Sequence, residues 1–137
     1  MTHDRFHPLL QRLGLVLPIL QAPMAGVATP ELAAAVSNAG GLGGLGAGAS
    51  SPEDARRMIE ATRALTDQPF NVNVFCHRTP APDPAGDAAW LHHLAPLYAR
   101  LDMAPPTRLV EVYPSFMDDD RMLDVLLETR PAVVSFH

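Results

Sequence analysis

The chain has 137 residues, 47% of them hydrophobic, and a net charge of −5. This length supports one domain with its own core, because burial at this size reaches roughly two-thirds of the unfolded surface. All ten basic residues are arginines, scattered along the chain and outnumbered by the 15 acidic residues, so no nucleic-acid partner is expected. No apolar run approaches the ~20 residues that cross a bilayer, so no membrane partner is expected either.

Cysteine usage and the first residues predict a location. Cys76 is the single cysteine, which excludes an intrachain disulfide and fits a reducing compartment. The first residues lack a basic region followed by a long apolar run, so they do not read as a secretory signal. We therefore expect a cytoplasmic protein in which Cys76 is a small packed apolar residue rather than a reactive thiol.

The first predicted element is a short apolar strand over residues 19–21, which ends in a turn of small and rigid residues. In this turn Pro23 fixes φ and donates no hydrogen bond, and Gly26 lets the main chain approach a flat ligand closely. A helix over residues 30–39 follows, with Thr29 as its N-cap. A strand, a turn and a helix in this order open a βα unit, whose ligands bind at the carboxyl end of the strand.

Residues 40–48 contain six of the nine glycines and, around Leu45, a short buried strand. Gly41, Gly43 and Gly46 satisfy the spacing of a dinucleotide-binding fingerprint. No acidic residue follows them at the required distance, however, and the motif lies in the second βα unit rather than the first. We therefore interpret the glycines as positions of close packing that lead into a strand-end loop.

Strands and helices continue to alternate along the rest of the chain. Helices are predicted after the N-cap Ser51 as far as residue 65, then over residues 87–101 and 118–128; strands are predicted over residues 70–75 and 132–137. The helix over 87–101 has an apolar side formed by Trp90, Leu94, Leu97, Tyr98 and Leu101.

The order of these elements predicts a fold class. Strands that end at Gln21, Leu45, Phe75 and His137 give about four parallel βα units of an α/β protein. A closed barrel needs eight such units and typically ~250 residues. Four parallel strands could instead form an open sheet, but no helix follows the last strand to cover it. Residues 1–137 are therefore expected to be a fragment of about four βα units of a single domain.

Polar side chains occur where a parallel sheet collects its ligands. Asn71 and Asn73 are two apart on one strand, so both face the same side; they either hold a polar ligand or satisfy loop backbone. His137 ends the last strand, where its imidazole either exchanges a proton with a substrate or is solvated. Tyr113 is either a phenol at the site mouth or an ordinary half-buried tyrosine. The other histidines lack metal-ligand spacing, so no metal is expected.

Taken together, these features resemble the N-terminal part of the nitronate monooxygenase family, the FMN-dependent group formerly called 2-nitropropane dioxygenases. The resemblance lies in residues 18–26, 40–46, 70–75 and 131–137, which read PILQAPMAG, GGLGGLG, FNVNVF and PAVVSFH. The family fold is a TIM barrel with a smaller inserted domain, of which this chain would form about the first half.

The resemblance implies an FMN cofactor and a set of site residues. His137 would lie in the active site, as a hydrogen-bond donor to a nitronate or as the base for a nitroalkane, and Tyr113 would line the substrate pocket. The glycine-rich phosphate-binding loops of the family's later strands are not in this sequence, so the isolated chain is expected not to retain FMN stoichiometrically. The expected cofactor-binding residues are Gln21, Ala22, Pro23, Met24 and Asn73.

The activity implied by the resemblance is the oxidation of alkyl nitronates, such as propionate 3-nitronate, by O2 to carbonyl compounds and nitrite in the full-length protein. Two alternatives stay open. An NADH:quinone reductase or an enoyl-thioester reductase would share the barrel and the FMN. A non-catalytic half-barrel would instead self-associate into a homo-oligomer through its open strand edges.

Overall fold

The computed structural model describes residues 7–137, in which helices and strands alternate. The chain divides into two compact units, one formed by residues up to Arg78 together with Tyr113–His137, the other by Thr79–Val112. In chain order the elements are α1 (His7–Leu13), α2 (Pro30–Asn38), β1 (Gly43–Gly46), α3 (Pro52–Leu65), β2 (Phe70–Val74), α4 (Pro84–Arg100), a 3-10 turn (Phe116–Asp118), α5 (Asp120–Thr129) and β3 (Val133–Phe136).

The first unit is built on a sheet of three parallel strands in the order β1-β2-β3. Each strand follows a helix; α3 packs between α2 and α5, α2 packs on β1 and β2, and residues of α3 and α5 share the core with the strands. This arrangement confirms the predicted α/β fold with a parallel sheet. Because the carboxyl ends of parallel strands lie at one edge, residues that follow Gly46, Val74 and Phe136 are brought together there.

The two faces of the sheet differ in chemistry because side chains alternate along each strand. Leu45, Val72 and Val134 are in register across the three strands and belong to the apolar core beneath the helices. The opposite face presents Asn73 and Ser135, which are in register with each other. The buried core consists of Ala33, Leu45, Ala47, Ala55, Ile59, Phe70, Val72, Val74, Met122, Val125 and Leu126.

The strand predicted over residues 19–21 is reduced to an isolated parallel bridge between Leu20 and Leu42. Two backbone hydrogen bonds form this bridge, from Gln21 N to Leu42 O (2.9 Å) and from Leu42 N to Ile19 O (2.8 Å). The pairing stops there because Pro23 has no N–H to continue a ladder. The short strand predicted over residues 19–21 is therefore present only as this one bridge, and the segment lies beside β1 as expected.

Helix α4 forms a large part of the second unit. It begins at Pro84, three residues earlier than predicted, because Asp83 caps it by accepting a hydrogen bond from Gly86 N (3.0 Å). No residue of α4 is buried, so its predicted apolar side, which includes Trp90 and Leu97, is largely exposed. None of the described helices is long and apolar enough to cross a membrane.

The helix starts of the first unit follow the predicted caps. Thr29 Oγ1 accepts a hydrogen bond from Leu32 N (3.2 Å) at the start of α2, and Ser51 Oγ accepts one from Asp54 N (3.1 Å) at the start of α3. Hydrogen bonds with its own backbone N–H and with Thr29 lower the pKa of Glu31. These contacts satisfy the free N–H groups that begin each helix.

A buried serine joins α2 to the sheet. Ser37, which is 1% exposed, donates a hydrogen bond to Pro69 O (2.8 Å) and accepts one from Gly43 N (3.1 Å). The hydroxyl therefore satisfies a carbonyl just before β2 and an amide at the start of β1. Such buried backbone groups are costly to leave without a partner.

We expect Ser37→Ala to lower the free energy of unfolding of the complete protein by about 1–3 kcal/mol, because both backbone groups lose their partner. Denaturant unfolding monitored by circular dichroism measures the change. Ser50→Ala is the matched control, since the Ser50 hydroxyl makes only a weak contact with Met58 Sδ (3.7 Å). An unfolding free energy equal to that of the wild type in Ser37→Ala would contradict this structural role.

Candidate functional site

A groove of about 740 Å³ lies on the polar face of the sheet in the first unit. Its volume is in the range of roughly 300–1,000 Å³ that is typical of small-molecule sites. The lining consists of Leu20, Gln21, Ala22, Pro23, Met24, Ala25, Leu42, Asn71, Asn73, Phe75, Tyr113, Val133, Ser135, Phe136 and His137. Every site residue predicted from the sequence is in this lining, although these residues are spread over more than a hundred positions of the chain.

The turn at residues 21–25 forms one wall of the groove because β1 has glycines opposite it. A Cβ at Gly44 would lie 2.8 Å from Gln21 O, and one at Gly46 would lie 2.6 Å from Pro23 O. Real Cβ atoms do not approach backbone so closely, so only glycine permits this contact. The glycines meet the protein's own main chain, which confirms their interpretation as positions of close packing.

The side chain of Gln21 holds this turn in place. Its Nε2 donates to Gly44 O (3.1 Å), and its Oε1 accepts from Gly44 N (3.2 Å). The amide thereby replaces the backbone ladder that stops at the bridge between Leu20 and Leu42. Both hydrogen-bonding ends of Gln21 are thus engaged with the strand, and its predicted contact with a cofactor remains a prediction.

The outer part of the same wall is apolar and accessible. Ala22 and Met24 are exposed, and Met24 N donates to Ala22 O (3.0 Å), which keeps the turn tight. Gly26 has a φ of 74°, a left-handed conformation that favours glycine. The turn therefore presents small apolar groups and rigid main chain, a surface suited to a flat ring.

The floor of the groove is a network of two amides and one hydroxyl. Asn71 and Asn73 are 8% and 7% exposed. Asn71 Nδ2 donates to Ser135 Oγ (2.9 Å), and Asn73 Nδ2 donates to both Ser135 Oγ (2.9 Å) and Ser135 O (3.1 Å). Within the described residues, both asparagine side chains bond to Ser135 on the neighbouring strand rather than to a loop, and a contact of either amide with a ligand remains a prediction.

The two asparagine oxygens differ in their surroundings. Among the described residues, Asn71 Oδ1 is a fully buried acceptor without a partner. Asn73 Oδ1 is not a buried acceptor of this kind, and the Asn73 side chain bonds to Ser135 through its Nδ2. Of the two, Asn73 therefore has the acceptor that a molecule in the groove can use.

Aromatic side chains form the side of the groove near the carboxyl ends of β2 and β3. The Phe75 ring makes edge-to-face contacts with Tyr113 (centroids 5.2 Å apart) and His137 (5.8 Å apart). The main chain of His137 is fixed, because its N–H donates to Val74 O (3.1 Å) and its carbonyl accepts from Cys76 N (2.7 Å). Phe75 thus holds both predicted pocket residues at the same edge.

Ser135 and Phe75 were not predicted as site residues. Both could have been predicted from the two-residue period of strands, which places alternate residues on one face. Ser135 lies two positions before His137, and Phe75 lies two positions after Asn73. A serine within an otherwise apolar strand, as at Ser135, also indicates a polar position on the face of the sheet that would bind a ligand. Cys76 is partly buried and packs against the core, as expected.

The lining contains no Asp, Glu or Arg side chain among the described residues. The groove is therefore polar at its floor and apolar at its wall, with His137 and Tyr113 as its ionisable groups. The described part of the chain contains no cluster of three His, Cys, Asp or Glu side chains that could hold a metal ion. Such a lining suits an uncharged planar heterocycle better than a phosphate group.

Comparison with known proteins identifies the family. The profile of the family described as nitronate monooxygenase matches residues 7–137. A nitronate monooxygenase from Paraburkholderia phytofirmans is 57% identical over 129 residues, which are 94% of this chain and 35% of the relative. One from Pseudomonas aeruginosa is 55% identical over 134 residues, 98% of this chain and 37% of the relative. The chain belongs to the nitronate monooxygenase family and spans little more than a third of these relatives.

Solved structures agree on the fold. The nitroalkane oxidase of Streptomyces ansochromogenes superimposes with a TM-score of 0.74 at 40% identity, over 94% of this chain and 35% of that protein. FabK from Thermotoga maritima superimposes with a TM-score of 0.59 at 32% identity, over 93% and 29% respectively. The α/β architecture with its small parallel sheet is therefore shared with larger proteins.

Proposed function

We propose that this chain is the N-terminal part of an FMN-binding TIM-barrel domain that oxidises alkyl nitronates, such as propionate 3-nitronate, with O2 to carbonyl compounds and nitrite. One observation carries the proposal: the groove brings together the Gln21-to-Met24 turn, Asn73, Tyr113 and His137. The membership of the chain in the nitronate monooxygenase family supports it.

The residues of the groove fit a flavin ring. The ring of oxidised FMN is flat and carries one N–H donor beside carbonyl acceptors, and its chemistry is to take electrons from an anionic nitronate and pass them to O2. The apolar wall at Ala22, Pro23 and Met24 suits the face of such a ring. Asn73 Oδ1 suits its N–H donor, because the Nδ2 end of the same amide is held by Ser135.

The protein's part in the reaction is to orient the reactants and to keep water away. Pro23 and Met24 exclude water from the wall side of the groove. Asn73 fixes the edge of the heterocycle because its own amide is held by Ser135. His137, at the opposite side with Tyr113, donates a hydrogen bond to a nitronate oxygen or accepts the proton of a neutral nitroalkane. The aromatic contacts of Phe75 hold both side chains where the substrate would lie.

The activity is tested on the complete protein with two assays. We expect rapid O2 consumption with propionate 3-nitronate, and little NADH oxidation in the absence of oxygen. NADH oxidation faster than nitronate oxidation would instead support a reductase of the same superfamily. A colourless oligomer in size-exclusion chromatography, without flavin absorbance, would support the non-catalytic self-associating alternative.

We expect Asn73→Ala in the complete protein to weaken FMN binding by about 1–3 kcal/mol, the usual cost of leaving a buried polar partner unsatisfied. Asn71→Ala is the matched control from the same face of the same strand, and its effect should be smaller because Asn71 Oδ1 is sealed from the groove. Titration calorimetry with FMN measures both. Equal effects would show that the wrong amide is assigned, and no effect at either position would remove both from the site.

His137→Asn keeps a hydrogen-bond donor but removes the base. We expect kcat/KM on preformed nitronates to fall by a factor that corresponds to about 1–2 kcal/mol in the barrier, because the donor is displaced. A larger loss on neutral nitroalkanes than on nitronates would identify His137 as the base. Steady-state kinetics on both substrates measures the difference, and unchanged constants on both would exclude His137 from the active site.

A further inference from the structure

The Ser135 hydroxyl accepts two hydrogen bonds from different side chains. Asn71 Nδ2 and Asn73 Nδ2 each lie 2.9 Å from Ser135 Oγ. A hydroxyl oxygen has two lone pairs and one hydrogen, so these two contacts use its whole capacity as an acceptor. The hydrogen must then point in the remaining tetrahedral direction, away from both amides.

Nothing among the described residues accepts that hydrogen. Ser135 lines the groove and makes side-chain hydrogen bonds only as an acceptor within the part of the chain that the structure describes. Accepting two hydrogen bonds also polarises the O–H bond and strengthens it as a donor. Within the described part of the chain, the strand face therefore offers a polarised donor that has no partner.

This donor lies beside an acceptor. Asn73 is the direct register partner of Ser135 across the two strands. Its Nδ2 is fixed by both Ser135 Oγ and Ser135 O, and its Oδ1 is bonded to the same carbon atom as that nitrogen. The Ser135 hydroxyl and the Asn73 amide are therefore neighbours on the floor of the groove, where Asn73 is 7% exposed.

We propose that Ser135 is a further cofactor-binding residue, whose hydroxyl donates a hydrogen bond to a ring carbonyl of FMN while Asn73 Oδ1 accepts from the neighbouring ring N–H. An adjacent donor and acceptor complement the adjacent C=O and N–H of a flavin edge. The assignment rests on the proposed function, because it takes FMN as the occupant of the groove.

The test compares Ser135 variants of the complete protein with FMN and with its 2-thio and 4-thio analogues, using titration calorimetry. Sulfur accepts hydrogen bonds more weakly than oxygen. An analogue with sulfur at the carbonyl that Ser135 contacts therefore loses most of the binding free energy of that hydrogen bond. We expect Ser135→Ala to raise the Kd for FMN about tenfold and to have a smaller effect with one of the two analogues. Ser135→Thr, which keeps the hydroxyl, should restore the affinity, and Ser50→Ala, outside the groove, should leave it unchanged.

Four outcomes would overturn the assignment, and they are distinguishable. An unchanged Kd in Ser135→Ala would show that the hydroxyl does not contact the cofactor. An equal loss with FMN and with both analogues would show that Ser135 only orients the asparagines. A wild-type protein that binds no FMN would overturn the proposed function as well. If Ser135→Ala does not fold, equal affinity of the wild type for FMN and both analogues would itself contradict the proposal.

Discussion

The groove exists because the turn after residue 20 lies directly on strand β1. Gly44 and Gly46 have no Cβ to separate the two segments, and the Gln21 amide pairs with both backbone groups of Gly44. A larger residue at either glycine would push the turn away from the sheet and change the wall that faces Asn73. The glycine-rich sequence is therefore a packing requirement, and the position of the apolar wall follows from it.

Strand β2 supplies both the core and the floor of the site. Val72 and Val74 bury their side chains beneath the helices, while Asn71 and Asn73 face the groove and donate to Ser135. The apolar half of this alternation stabilises the fold. The polar half contains Asn71 Oδ1, a buried acceptor without a partner among the described residues, and such an acceptor lowers stability. The core and the proposed binding surface thus lie on the two opposite faces of one strand.

Sequence patterns predicted the helix caps and strands that depend only on residues close together in the chain. The caps Thr29 and Ser51 and the alternating run that became β2 needed only neighbouring residues, and the site residues were found through a family resemblance. The segment at residues 19–21 was predicted as a strand, but Pro23 ends its pairing after one bridge. The proposed role of Ser135 rests on contacts with Asn71 and Asn73 across 64 and 62 positions, which no local pattern contains.

The central claim is that a flavin ring occupies this groove, and a crystal structure of the complete protein with FMN tests it most directly. We expect the ring to lie against Ala22, Pro23 and Met24, with Asn73 Oδ1 within hydrogen-bond distance of its N–H and His137 on the side where substrate enters. A ring bound elsewhere, with the groove filled by other protein segments, would contradict the claim.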